Sequence, residues 1–241
     1  MNTGYTKRVS KNYLKELALD VELTLKFIKS TQKEEWNKFK GIYKESSDEK
    51  FIKILFKEIE FKGTIHVLRN GFKDVGPYFK LFYPMPNNNR NPELFNKFES
   101  NIFSVIDKLE YDDDNNNRLD LAIFINGLPI LAIELKNNFS QGIEEAIKQY
   151  KRDRNPRNRT LKNCLVHFAM SDEKIYMSTK LNNDKTRFLP FNRGSENPAV
   201  KDIIKLHTSI KISCKKISYL NLFLTSYLRK KKQLYFLVSI N

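Results

Sequence analysis

Three residues near the middle of the chain have the types and spacing for phosphodiester chemistry: Asp120, Glu134 and Lys136. They sit in DLAIFINGLPILAIELK, residues 120–136, where two apolar runs of strand length flank Asn126-Gly127. Asn-Gly between apolar runs is a strong hairpin signal. Asp120 opens the first run, and Glu134 and Lys136 lie inside the end of the second. A charge inside an apolar strand is costly unless it is paired or bound to a metal. Two carboxylates and an ammonium in the pattern D-x13-E-x-K suit a Mg2+-dependent phosphodiesterase. That reaction needs an activated water, neutralised charge at phosphorus and help for the leaving oxygen, and Mg2+ on carboxylates supplies most of it. Asp120 and Glu134 are the candidate metal ligands, with the backbone carbonyl of Leu135 as a third oxygen. Lys136 alternates onto the strand face of Glu134, where its ammonium could position the water or stabilise developing charge.

Register constrains this reading. A two-residue Asn-Gly loop pairs Ile125 with Leu128 and Asp120 with Ile133, which leaves Asp120 and Glu134 on opposite faces. A three-residue connection pairs Ile125 with Pro129 and Asp120 with Glu134. Catalysis therefore requires an odd loop or a bulge near Gly127–Pro129. Pro129 has no amide hydrogen and suits such a break. The alternative is a plain hairpin whose charges snorkel at a sheet edge.

The surrounding sequence must build the support. Residues 11–40 carry helical periodicity, and Ser30/Thr31 followed by Glu34/Glu35 reads as a fresh helix start. Residues 49–60 form a second amphipathic pattern. Residues 64–68 (TIHVL) and 78–83 (YFKLFY) read as strands between Gly71 and Gly76-Pro77 turns. Residues 85–92 read as a loop, 93–108 as a helix, and 112–117 as a polar loop. After the hairpin, a helix is predicted over 140–154, with Ser140 as its cap and Asn155-Pro156 ending it. Residues 165–169 (LVHFA) and 174–177 (KIYM) read as strands, and 188–191 (FLPF) as an edge or loop. Strand-strand-helix-strand after N-terminal helices predicts an α/β fold, a mixed β-sheet flanked by helices.

Composition narrows the class. The chain has 241 residues, 40% of them hydrophobic, which excludes a disordered chain. A net charge of +15 favours a polyanionic partner such as nucleic acid, although a lysine-rich proteome produces the same balance. Cys164 and Cys214 are the only cysteines, too few for a disulfide framework or a CxxC zinc site. The N-terminus lacks the apolar core of a signal peptide, and no apolar run is long enough to span a membrane, so a cytoplasmic protein is expected. Nothing matches GxxxxGK[ST], so no ATP site is expected within the chain. His66, His167 and His207 show no ligand spacing. The helix end Gln149, Tyr150, Lys151, Arg152, Arg154 is basic and rich in hydrogen-bonding groups, and could meet DNA phosphates. Its alternative is an ordinary solvated helix face.

The run FINGLPILAIELKNNFSQGIEEAIKQYKRDRNP resembles the N-terminal nuclease domain of the restriction (R) subunit of type I restriction-modification enzymes, a PD-(D/E)xK domain. The likeness extends upstream through FIKSTQKEEWNKF, VLRNGFKDVG and LFYPMPNNN. Downstream it runs through CLVHFAMSDEKIYMSTKL and TRFLPFNRGSENP, covering roughly residues 15–198. The resemblance implies Asp120 and Glu134 as metal ligands, Lys136 as the catalytic lysine, Mg2+ as cofactor and double-stranded DNA as substrate. It also implies methylation and specificity subunits as partners, and cleavage coupled to an ATP-driven motor later in the same subunit.

Three departures stand out. No motor follows. Relatives often carry Gln four residues before the helix tyrosine, where this chain has Ala146, with Gln149 beside Tyr150 instead. Gly4-Tyr5 aligns with a Gly-Tyr that in relatives follows a first helix bearing an acidic residue, so the chain is expected to start late. The expected division is a nuclease domain over 1–199 and an atypical basic tail over 200–241. The tail holds nine basic residues and one acid without clean periodicity. Back-translated in a shifted frame, residues 211–219 and 235–241 can yield sequences resembling this family's linker and motor start. A truncated, frameshifted product is therefore expected, the alternative being a genuine C-terminal helix with a basic end.

Overall fold

The computed structural model describes residues 5–86, 91–112, 117–136, 142–171 and 174–191. The expectations for Ser140 as a cap, for the tail beyond residue 199 and for the middle of the loops at 85–92 and 112–117 lie outside these residues. In chain order the elements are β1 (Thr6–Arg8), α1 (Val21–Thr31), α2 (Lys33–Tyr43), α3 (Ser47–Lys62), α4 (Thr64–Asn70), β2 (Phe72–Lys73), β3 (Tyr78–Phe79), α5 (Pro92–Glu99) and β4 (Phe103–Glu110). There follow β5 (Arg118–Ile125), β6 (Leu128–Leu135), α6 (Ile143–Lys148), α7 (Arg159–Asn163), β7 (Val166–Met170), β8 (Ile175–Ser178) and β9 (Leu189–Pro190).

Seven strands form one mixed sheet in the order β1-β4-β5-β6-β7-β8-β9. The β1–β4 and β6–β7 pairs are parallel and the other pairs antiparallel. The sheet separates two apolar layers. Phe27, Ile28, Trp36, Phe39, Phe51, Leu55, Val67 and Leu68 from α1–α4 pack with Leu121, Ile123, Ile125 and Ile133. On the other side Tyr13, Tyr150, Leu161 and Cys164 pack with Ile106, Ala122, Phe124 and Ala132. The mixed sheet flanked by helices is the expected class. No helix among the described residues is long and apolar enough to cross a membrane.

Four local expectations are corrected. Residues 64–68 are helical: α4 follows Gly63 at φ 84°, and Thr64, Val67 and Leu68 are buried at i, i+3, i+4 spacing, which outweighs the β-branched content. Residues 93–108 are not one helix. α5 stops at Glu99, and Asn101 pulls the chain aside by accepting from the Tyr83 amide (3.1 Å) and donating to the Tyr83 carbonyl (2.7 Å). β4 then runs between β1 and β5 with Phe103, Ser104, Val105 and Ile106 all buried, so its first half has no alternation to betray it. Of residues 78–83 only Tyr78–Phe79 pair, with β2. Finally, α2 starts at Lys33 after Gln32, and the Ser30 and Thr31 hydroxyls donate back to the Phe27 carbonyl instead of capping forward.

The hairpin turn is anchored from below. Asn126 (φ 50°) and Gly127 (φ 83°) both have the positive φ of a type I′ turn. Asn126 is fully buried: its Oδ1 accepts the Ile102 amide (2.7 Å) and its Nδ2 donates to the Leu81 carbonyl (2.8 Å) and Asn101 Oδ1 (3.0 Å). The Asp20 amide donates to the Gly127 carbonyl (2.9 Å), while the Asp20 carboxylate caps α1 at the Leu23 amide (3.1 Å) and receives Arg8 Nε (2.9 Å). The turn, the start of α1 and β1 are thereby tied together.

Candidate active site

The loop has two residues, and the register changes inside the strand. Ile125 pairs with Leu128 and Phe124 with Pro129, but Ile123 pairs with Leu131, leaving Ile130 as an extra residue in β6. The packing shows the consequence. Leu128, Ile130 and Leu131 all lie in the α1–α4 layer, whereas Ala132 has turned to the other. Glu134 follows Ala132 at strand period and shares its face. The last regular pair is Leu121 with Ile133, and one further step sets Asp120 across from Glu134. The bulge near Gly127–Pro129 that the catalytic reading requires is thus present at Ile130.

Asp120 occupies a second irregularity. Leu119 and Leu121, two residues apart, pack in different layers. On the neighbouring strand Lys108, which the β4–β5 register sets opposite Asp120, has φ 52°. At this kink the Asp120 side chain replaces a ladder partner: its Oδ2 accepts the Leu135 amide at 2.7 Å. Lys136 leaves β6 half-buried, its amide on the Met170 carbonyl (2.9 Å) of β7.

Glu134 is 1% exposed and is not alone. Arg154 Nε (3.0 Å) and Nη2 (2.7 Å) both donate to its Oε1. Arg154 is anchored in turn by Asn117 Oδ1 (3.1 Å), the Arg118 carbonyl (2.7 Å) and the Tyr111 ring, 5.6 Å from its guanidinium carbon. Burial pushes the Glu134 carboxyl up to about 8, against the pull of Arg154, with the Asp120 charge adding to the rise and Lys136 opposing it. Arg154, Asp120 and Lys136 thus all bear on the Glu134 carboxyl.

The helix expected at DNA is built differently from its expectation. α6 continues into a π-helical turn over Gln149–Asp153, closed by the Arg154 amide on the Gln149 carbonyl (3.1 Å). Ile143, Ala146, Tyr150 and Arg154 all face inward. Tyr150 is fully buried against the rings of His167 and Phe188, and Arg154 is 4% exposed, so neither side chain can reach a DNA phosphate. Gln149 and Lys151 are half-buried, and Arg152 is exposed, 3.9 Å from Asp184. The assignment of Tyr150 and Arg154 to a DNA surface is corrected on burial. The role of Arg154 as partner of Glu134 was missed, and the signals for it were the 143/146/150/154 spacing and the need of a buried carboxylate for a counter-charge.

Asp120 and Glu134 offer hard oxygen donors of the kind Mg2+ takes. Among the described residues no group of three or more His, Cys, Asp or Glu stands ready to hold a metal ion. Two carboxylates and a carbonyl nevertheless suit Mg2+, which is commonly held by one or two carboxylates plus waters and substrate phosphates.

Residues 11–186 match the family model described as type I restriction enzyme R protein N terminus. The chain is 29% identical over 188 residues to a Methanocaldococcus jannaschii protein named, provisionally, type I restriction enzyme MjaVIIIP endonuclease subunit. That alignment covers 76% of this chain and 17% of the relative, so the chain spans about a sixth of the protein it matches.

Proposed function

Because the chain belongs to the family of type I restriction enzyme R protein N termini, we propose that it is the nuclease domain of such a subunit, with a PD-(D/E)xK core that hydrolyses double-stranded DNA. The observation that supports this most is the extra residue Ile130, which sets Glu134 across from Asp120 and puts Lys136 two residues on. A hairpin serving only as scaffold has no need of that bulge, because regular pairing would keep its apolar faces in order.

Asp120 and Glu134 would hold Mg2+, with the Leu135 carbonyl as a further oxygen. When bound, the ion would neutralise charge at phosphorus and favour ionisation of water. Asp120 uses Oδ2 on the Leu135 amide, and its Oδ1 would be the oxygen offered to the ion. Lys136 would place its ammonium against the attacking water or a phosphate oxygen. Tyr150, fully buried, stands close enough to Glu134 to feel its charge, and the low-polarity surroundings of that buried ring strengthen charge interactions at Glu134. ATP-driven translocation elsewhere in the subunit would deliver DNA to this site, while the groups that cut lie within this chain. Methylation and specificity subunits would be its cytoplasmic partners.

A second reading is a DNA-binding or assembly module that does not cut. Its support is the closed ion pair of Glu134 with Arg154, which already satisfies one carboxylate oxygen. Cleavage of a linear duplex with and without Mg2+, by the wild type and by Asp120→Ala and Lys136→Ala, separates the two. Mg2+-dependent cutting that both substitutions abolish supports the nuclease. Retained DNA binding with no cutting by the wild type favours the second reading.

A further inference from the structure

We propose that Arg154 is a positioning residue for the reaction, one that fixes Glu134 so that Oε1 is occupied and Oε2 is left for the divalent cation; this rests on the nuclease reading. Arginine and carboxylate commonly pair fork to fork, each nitrogen on its own oxygen. Here Nε and Nη2 converge on Oε1 alone. An ion pair serving only to neutralise buried charge gains from using both oxygens. The single-oxygen pairing instead defines the rotation of the carboxyl group.

The geometry of Arg154 is itself over-determined. The Asn117 side chain, the Arg118 carbonyl and the Tyr111 ring hold its remaining edge and face. Asn117 and Arg118 stand three and two residues before Asp120 on the same chain segment. The two candidate ligands are thus linked by one guanidinium: through Oε1 to Glu134, and through residues 117 and 118 to the start of β5. Tyr150 and Arg154, four residues apart at the end of one helix, share a face and turn inward together. Outer partners of this kind typically change metal affinity by about 10- to 100-fold when removed.

A basic residue that touched DNA would act on substrate binding. A positioning residue acts on the metal and on turnover. The experiment compares wild type, Arg154→Gln, Arg154→Lys and Asn117→Ala by calorimetric titration with Mg2+ alone, by thermal unfolding, and by cleavage kinetics on a linear duplex. Arg154→Gln should weaken Mg2+ binding by about tenfold or more, with Arg154→Lys intermediate. The loss in cleavage should fall on kcat, leaving KM for DNA within about twofold. Asn117→Ala, which leaves the ion pair in place and removes one anchor, should weaken Mg2+ binding a few-fold with an unchanged melting temperature. It decides the matter if Arg154→Gln does not fold. Unchanged Mg2+ affinity in the substituted proteins, or a loss confined to KM, overturns the proposal while leaving the nuclease reading intact. A wild type that binds no Mg2+ overturns both.

Discussion

The Leu135 amide donates to Asp120 Oδ2 at 2.7 Å, one step beyond the last regular pair of the β5–β6 ladder, Leu121 with Ile133. A side-chain carboxylate thus stands where a backbone carbonyl would close the ladder. On the proposed function Asp120 Oδ2 would hold the strand while Oδ1 would serve the metal, and a substitution can separate the two roles.

Asp120→Asn keeps an acceptor for the Leu135 amide and loses the charge. Its melting temperature should stay near wild type while Mg2+ binding, followed by calorimetry, disappears. Asp120→Ala loses the acceptor as well and should cost about 1 kcal/mol more in urea unfolding. Wild-type Mg2+ affinity in Asp120→Asn would remove Asp120 from the ligand set.

Asn126 is a structural keystone of the same hairpin. Its side chain makes three buried hydrogen bonds, to the Ile102 amide, the Leu81 carbonyl and Asn101. Its backbone holds φ 50°. Each buried partner left unpaired costs about 1–3 kcal/mol. Asn126→Ala should therefore lose roughly 3 kcal/mol or more of unfolding free energy. Asn126→Gly relieves only the backbone term and should recover no more than about 1 kcal/mol of that. A near-wild-type urea midpoint in either variant would contradict this account.

How much of this was legible in the sequence depends on the element. The hairpin ends were, because Asn-Gly between apolar runs has few other solutions. The requirement for a bulge was also legible, since alternation at period two makes the face of Glu134 a matter of parity. Its place at Ile130 was not: Leu128, Ile130 and Leu131 are all apolar, and no residue type marks which is extra. β4 was hidden because its first four residues are all buried and lack alternation, and its apolar positions mimic a continuation of α5. The inward turn of Tyr150 and Arg154 was obscured because polar and basic residues at a helix end look solvated until a buried partner is known.

Gly127 offers a test of the anchoring beneath the turn. A Cβ built there would overlap the Asp20 carbonyl oxygen and the Thr24 hydroxyl, and φ 83° disfavours any side chain. Gly127→Ala should destabilise by about 2 kcal/mol or more. Adding Thr24→Ala removes one overlap but leaves the Asp20 carbonyl, so the double variant should not regain wild-type stability. Full recovery, measured by thermal unfolding, would mean that the backbone of α1 is not held against the turn.

Two buried titratable groups predict opposite pH limbs. Burial pushes Glu134 from 4.5 up to about 8, so the folded protein holds a proton that the unfolded chain releases. That contribution to stability is complete below pH 4.5 and is lost as pH rises to about 8. Burial pushes His167 from 6.5 down to about 3, with its Nδ1 lacking a hydrogen-bond partner among the described residues. Here the unfolded chain takes the proton first, so stability is complete above pH 6.5 and is lost as pH falls towards 3. Each limb has a slope of about 1.4 kcal/mol per pH unit where it acts alone. Between the two unfolded values, 4.5 and 6.5, the slopes oppose, and unfolding free energy should form a plateau there. Urea midpoints across pH 4 to 9 should show that plateau falling on both sides. Glu134→Gln should flatten the alkaline limb and His167→Phe the acid one. Saturating Mg2+, which favours the ionised carboxylate, should raise the alkaline limb in the wild type and leave Glu134→Gln unmoved. An alkaline limb that persists in Glu134→Gln would assign the proton to another group.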